Sequence, residues 1–529
     1  ATAGDRPTAL RFARAHETLL REEFDTAPDA AVVAAAERLR RLPAASPATG
    51  APAAPAIAVL PLANLTPEGE AEYFSDGLTE ELANALARVP GLRVASRTSV
   101  YALRGKGLDV REIADRLGVS ALVEGTVRKV GNRIRLCARL LDASDGSQLW
   151  SDTYDRTLED VFVLQEELSR AVTAALSVGL GRGTPPSVRP PTNVLDAYTL
   201  YLRGRYAAHK RTPEGLSLGI EYYEQAVERD PGFTLAHAGL AECWALRGFP
   251  EFGELEWSKA VPRARAAALE ALRLDPRLAQ THTWLGVIHF LYDWDWAAAE
   301  AEFRRALHLD PNHAIAEVWY ALFLGAMGRH QESLRRILHA EAVEPLALPI
   351  RLSVGRCYYY ARRYEQAHDA LASLLKSEPG HQLTAIWLAR TLCALNRPLD
   401  AVDLLERLPG SERTPYVRSM LAYSLAASGR EDEARVLYGD LQRDFAEGRA
   451  GALWMGAILA RLGDRNAGLK LLQEAVRRRE PFVVWLARDQ RYDPLRNLTG
   501  FTALLQELRL APKIDHSDGQ DGTLAPDAR

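Results

Sequence analysis

Apolar and small positions along the second half of the chain recur with a single period. Small residues stand at Gly286, Ala321, Gly355, Ala389, Ala422 and Gly456, in steps of 35, 34, 34, 33 and 34. A second small column runs Ala299, Ser333, Ala367, Ala401, Ala434 and Gly468, and large residues follow it at Phe303, Ile337, Leu371, Leu405, Tyr438 and Leu472. Pro231, Pro276, Pro311, Pro345 and Pro379 mark helix exits. A repeat of this length predicts pairs of antiparallel helices, each covered on its outer face only by the next pair. A small residue on each helix of a pair lets the two backbones approach. The reading gives about eight units over 195–481, the first two irregular, with an insertion from Phe249 to Pro262. A capping helical segment is expected over 482–510, because an open solenoid end needs one.

The pattern upstream is different. Ile57 to Leu62 is a short continuous apolar run and reads as a buried strand. Asp76 to Ala87 carries Leu78, Leu82, Ala85 and Leu86 on one helical face. Leu92 to Ala95 reads as a strand and Val110 to Leu117 as a helix. Leu122 to Val130 and Ile134 to Leu141 alternate on either side of Gly131-Asn132, which predicts a hairpin. In its second strand Ile134, Leu136, Ala138 and Leu140 point one way, Arg133, Arg135 and Arg139 the other. Gln148 to Tyr154 reads as a further strand and Leu158 to Leu176 as a closing helix. Residues 57–178 therefore form an α/β domain. Residues 1–42 read as a short helical fragment, 43–56 as an Ala/Pro linker, 179–194 as a Gly/Pro linker and 511–529 as a disordered tail.

Composition narrows the function. The 529 residues hold 65 Lys+Arg against 69 Asp+Glu, a net charge of −4, which excludes a chain gripping nucleic acid over its whole surface. Apolar residues at 47% and charged residues at 25% exclude wholesale disorder. Four widely spaced cysteines exclude a disulfide scaffold and the common zinc knuckles, and a reduced, cytoplasmic setting is the expectation. The uncharged stretch from Leu42 to Pro67 is long enough to span a bilayer but is interrupted by six prolines, so no membrane segment is expected.

Candidate chemistry is sparse. No P-loop, H-E-x-x-H or G-x-S-x-G motif occurs, and no histidine sits in metal spacing with another ligand. No catalytic residue, metal site or cofactor is expected, and the chain reads as a non-enzyme. Val110 to Ser120 resembles the start of a helix-turn-helix, but the alternation that follows is strand chemistry. Gly179-x-Gly-x-Gly183 is followed by prolines rather than by a helix and reads as linker. Asp293-Trp-Asp-Trp296 reads as a turn plus core, and Trp284, Trp319, Trp387 and Trp454, which share one repeat position, as core. One residue beyond each small position the chain reads Val287, Leu322, Arg356, Arg390, Tyr423 and Ala457, a column expected to line the concave face. Arg356 above Arg390 is costly unless an anion or a local carboxylate pairs them. Arg356, Tyr359, Tyr360, Arg390 and Tyr423 are thus the candidate partner-binding residues, for a protein or peptide bearing a carboxylate in the concave groove.

Three resemblances accompany these readings. The repeat resembles the tetratricopeptide repeat, which implies an all-α solenoid binding protein partners. Some proteins of that kind hold carboxylates in a clamp, although the Asn residues those clamps use are absent here. Residues 57–178 resemble the TolB-like amino-terminal domain of bacterial multidomain regulators, through Ile57-Ala-Val-Leu-Pro-Leu62, Tyr73-Phe-Ser-Asp-Gly-Leu-Thr-Glu-Glu-Leu82, Glu124-Gly125 and Leu149-Trp150…Tyr154-Asp155-Arg156. Gly4 to Leu39 resembles the end of a bacterial transcriptional activation domain, with Phe24-Asp25 where relatives carry Leu-Gly. Together they imply the carboxy-terminal part of a transcriptional regulator that reaches DNA only through a domain upstream. Two alternatives stand beside this: a signalling or envelope-associated scaffold, and a small-molecule sensor using the α/β domain.

Overall fold

The computed structural model describes residues 56–66, 72–87, 89, 91–180, 191–252, 256–409 and 414–510. The expectations for 1–42, the Ala/Pro linker up to 55, 181–190 and the tail from 511 lie outside them. The described residues, from 56 to 510, form one compact unit, an α/β layer followed by a helical solenoid.

Six strands make one sheet: β1 Ala56–Val59, β2 Ala63–Asn64, β3 Arg93–Val94, β4 Ala121–Val130, β5 Arg133–Asp142 and β6 Gln148–Thr157. The order is β3-β1-β4-β5-β6, with β2 also on β4. β1 runs parallel to β3 and β4, and β4-β5-β6 is an antiparallel meander. The β4–β5 turn pairs Val130 with Arg133, and Gly131 takes the positive φ of 57° that a two-residue hairpin needs there. Ile134, Leu136, Ala138 and Leu140 are wholly buried, while Arg133, Arg135 and Arg139 are exposed. Helices Glu72–Ala87 and Val161–Leu180 cover the apolar face through Leu78, Leu82, Leu164 and Leu168. A smaller second core lies on the other face, where helices Arg97–Tyr101 and Val110–Leu117 meet Ala58 and Leu122. After Val110–Leu117, with its Asp109/Glu112 capping box and left-handed Gly118, comes strand β4 rather than a recognition helix.

The helical half contains eight helix pairs among the described residues, from Leu195–Ala208 to Arg465–Arg477. The small and large columns meet in space. A Cβ on Gly286 would stand 2.8 Å from Phe303, and one on Gly456 2.9 Å from Leu472; Gly355 faces Leu371 in the same way. Helices end two residues before their marker prolines, at Arg229, Leu274, Leu309, Val343 and Ser377.

The α/β layer is joined to the solenoid at two places. Gly77 lies against Leu202, and Arg205 donates to Glu81 at 2.9 Å and to the Gly77 carbonyl at 3.2 Å. Farther along the array, Ser96 and Ser99 donate to Glu344, Leu346 packs on the second core, and Lys106 faces Glu378 at 3.6 Å. The layer therefore bridges the first helix of the array and the loops at Glu344 and Glu378.

Candidate functional site

The five candidate residues lie on the first helices of consecutive pairs. Arg356, Tyr359 and Tyr360 belong to Leu348–Tyr360, Arg390 to Gln382–Ala394 and Tyr423 to Pro415–Ala427. Among the described residues, the face expected to form an open groove is occupied by the chain itself. Two short 3₁₀ turns, Pro481–Trp485 and Gln490–Leu495, lie across this face. Trp485 stacks on Tyr360 at 5.5 Å, and the Tyr492 hydroxyl donates to the Leu453 carbonyl at 3.0 Å. The segment expected only to cap the array is thus divided. Its first part fills the concave side, and its last helix, Thr499–Glu507, lies on Arg465–Arg477, where Gly500 abuts Leu469.

The carboxylate that Arg390 requires comes from Asp489. Arg390 Nη2 lies 3.3 Å from Asp489 Oδ2, the Tyr359 hydroxyl donates to Oδ1 at 3.0 Å, and Arg491 Nη2 donates to Oδ2 at 2.8 Å. Arg390 is 5% exposed and Asp489 2%. Burial raises the Asp489 carboxyl pKa while Arg390 and Tyr359 pull it down. Tyr359 and Tyr360 are also buried; Arg356 and Tyr423 are half-buried.

The segment is core rather than lid. Val483, Val484, Trp485, Leu486, Tyr492 and Leu495 are all buried. At about 1.5–3 kcal/mol per buried large apolar side chain, they contribute on the order of 10 kcal/mol. That is comparable with the whole stability of an ordinary domain, about 5–15 kcal/mol.

Two recesses among the described residues bear on binding. One is a small enclosed pocket beneath the segment, lined by Glu251, Arg356, Trp387, Arg390, Tyr416, Trp485, Asp489 and Arg491 among others. The Trp387 ring centroid is 4.2 Å from the Arg390 guanidinium and 5.0 Å from that of Arg356. Glu251 comes from the insertion after the second repeat's first helix, and burial pushes its carboxyl up to about 7 against the pull of Arg356 and Arg390. The other recess is an open cleft of about 640 Å³ between helices Pro213–Arg229 and Trp257–Leu274. Ile220, Leu240 and Trp244 form its floor, with Glu221 and Glu224 on one wall and Arg263 and Glu270 on the other. Arg263 lies 4.5 Å over Trp244.

Asp293-Trp-Asp-Trp296 is a turn with caps. Asp293 receives Arg265 at 2.7 Å and pairs with His289 at 2.8 Å, while Asp295 caps the following helix through Ala298 at 3.0 Å. Trp284, Trp387 and Trp454 are buried and Trp319 is half-buried. Among the described residues no group of three or more His, Cys, Asp or Glu is placed to hold a metal ion, and no helix is long and apolar enough to cross a membrane. Sequence reasoning missed Asp489, Arg491 and Trp485. The available signal was the apolar run Pro481-Phe-Val-Val-Trp485, which lies outside the repeat register yet is too apolar for an exposed cap.

Residues 358–423, within the array of helix pairs, match the family described as tetratricopeptide repeat. The chain is 36% identical over 258 residues to putative adenylate cyclase 3 of Rhizobium meliloti, covering 47% of this chain and 43% of that protein. It is 26% identical over 153 residues to the transcriptional regulator HilA of Salmonella typhimurium, covering 29% of this chain and 27% of that protein. The chain thus spans less than half the length of these curated relatives. Among solved structures it is similar to a tetratricopeptide repeat protein from Parabacteroides merdae, at 12% identity and a TM-score of 0.36, covering 51% of this chain and 99% of that one. It is also similar to Pseudomonas aeruginosa pilF, at 21% identity and a TM-score of 0.31, covering 41% and 93%.

Proposed function

We propose that this chain is a non-enzymatic, cytoplasmic scaffold within a bacterial transcriptional regulator, binding protein partners through its repeat array. The carrying observation is the cleft between Pro213–Arg229 and Trp257–Leu274, which stays open while the concave face is filled by the chain itself. Its apolar floor lies between the acidic wall at Glu221 and Glu224 and a mixed wall of Arg263 and Glu270. That arrangement suits an amphipathic helix with basic residues on the edge that meets Glu221 and Glu224. The likeness to HilA supports the regulatory setting, with DNA contact falling to another part of the regulator. The TolB-like module at 57–178 serves in this reading as a strut between the first repeat and the loops at Glu344 and Glu378. The test is cross-linking of the full chain to its partners, with the attachment sites mapped. Cross-links should cluster around the cleft and fall in a Glu221→Lys/Glu224→Lys variant that melts like the parent. Unchanged cross-linking in that variant removes the cleft from the account.

A second reading is favoured by the higher identity to a putative adenylate cyclase: the same scaffold serving a signalling protein. Expression of the chain in a cyclase-deficient bacterium should leave cyclic AMP absent under either reading. Regulated transcripts that change on deletion of the array, with cyclic AMP constant, favour the first.

A further inference from the structure

The pocket beneath the Pro481–Leu495 segment has more donors than the protein satisfies. Arg356 Nε, Arg390 Nε and Trp485 Nε1 are each buried without a hydrogen-bond acceptor, Glu251 Oε2 is buried without a donor, and all four residues line the pocket, so unpaired donors outnumber the unpaired acceptor three to one. Buried N–H groups without acceptors are rare, and each costs about 1–3 kcal/mol. They come from three separate elements: Leu348–Tyr360, Gln382–Ala394 and the turn Pro481–Trp485. The charges are out of balance in the same direction. Arg356, Arg390 and Arg491 face Asp489 and Glu251, so three cations meet two carboxylates even when both are ionised. Asp489 is already shared between Arg390 and Arg491. Among the described residues no carboxylate forms an ion pair with Arg356, whose guanidinium contact is the Trp387 ring. The free space is small, so a compact monatomic ion is accommodated more readily than a polyatomic one such as a carboxylate or phosphate.

We infer that this pocket is a binding site for a single halide-sized monovalent anion, chloride in the cell, held by Arg356, Arg390 and the Trp485 indole. The inference goes beyond the scaffold reading and does not depend on it. An anion there accepts from the three unsatisfied donors and cancels the surplus positive charge. It also ties two repeat helices to the segment that fills the concave face, so its occupancy sets how firmly that segment is held.

The test uses the full chain, melted in sodium chloride, sodium bromide and sodium gluconate at equal ionic strength. Chloride and bromide should raise Tm along a saturable single-site curve, and gluconate, too large for the pocket, should not. Arg356→Gln, at a half-buried position, should shift half-saturation upward by about tenfold or more, as loss of one charge-assisted hydrogen bond implies. Arg356→Lys should keep part of the response. Bromide soaked into crystals should give an anomalous peak between Arg356 and Arg390. Equal Tm shifts in all three salts, or no bromide peak because water alone fills the pocket, overturn the inference. The crystallographic arm decides the matter even if a variant fails to fold.

Discussion

Arg390 and Asp489, 99 positions apart in the sequence, meet at 3.3 Å inside the solenoid with almost no solvent access to either. Arg491 and Tyr359 complete the set around the carboxylate. Removing one member of such a group leaves an uncompensated buried charge, which typically costs about 3–5 kcal/mol. Asp489→Ala should therefore destabilise the chain by about that much in chemical denaturation. Arg390→Ala added to it should cost much less than it does alone, because residues in one charge network are not additive. Additive costs would mean that the two groups do not interact.

The helix seam makes a separate prediction. Gly355 faces Leu371 with no room for a side chain, so Gly355→Leu should cost about 1–3 kcal/mol through overpacking. Gly439, inside helix Glu431–Ala446, has nothing within 4 Å of a Cβ. There Gly→Ala should stabilise by about 0.5–1 kcal/mol. Equilibrium unfolding of the two variants checks the opposite signs.

Arg205 joins the α/β layer to the array through Glu81 and the Gly77 carbonyl, and Glu80 lies 3.4 Å away. Arg205→Ala leaves Glu81 without its cation and Glu80 with Arg97 alone, at 3.4 Å, and should cost about 3 kcal/mol. Hydrogen exchange should quicken in helix Glu72–Ala87 while the distant helix Ala452–Arg461 keeps its protection. Equal loss in both would show that the layer and the array unfold as a single unit.

Glu480 supplies a pH dependence. Burial pushes its carboxyl up to about 7 from an ordinary value of 4.5, against the backbone N–H groups of Leu453 and Ala452 that it accepts. A folded-state pKa above the unfolded one means that the native chain holds the proton more tightly. Stability from this group is therefore fully present below about pH 4.5 and is lost as pH rises to about 7. Glu480→Gln keeps an acceptor and removes the titration. Its Tm should gain on the parent between pH 5 and 8, and a constant difference across that range would contradict the assignment.

Elements whose burial is periodic were legible in the sequence. The alternation at Ile134, Leu136, Ala138 and Leu140 placed β5 with its arginines outward, and the two columns of the repeat placed the seam where Gly286 meets Phe303. β6 runs three residues past its expected end because Arg133 still pairs with Thr157, and an edge strand tolerates Asp155 and Arg156. Contacts without a period were not legible. The turns at Pro481–Trp485 and Gln490–Leu495 are too short to show a helical stripe, and Arg205 lies 124 positions from Glu81. Arg390 did signal that an anion was needed; the sequence pattern held nothing to show that Asp489 would supply it.

Filling of the concave face by the chain's own segment is most directly tested by native-state hydrogen exchange at Val483 to Tyr492 in the full chain. The backbone amides of Leu486, Asp489 and Tyr492 should exchange as slowly as those of Thr384 to Leu392, opening only when the array itself unfolds. Exchange there at the rate of an unstructured chain would place the segment outside the groove and contradict this account.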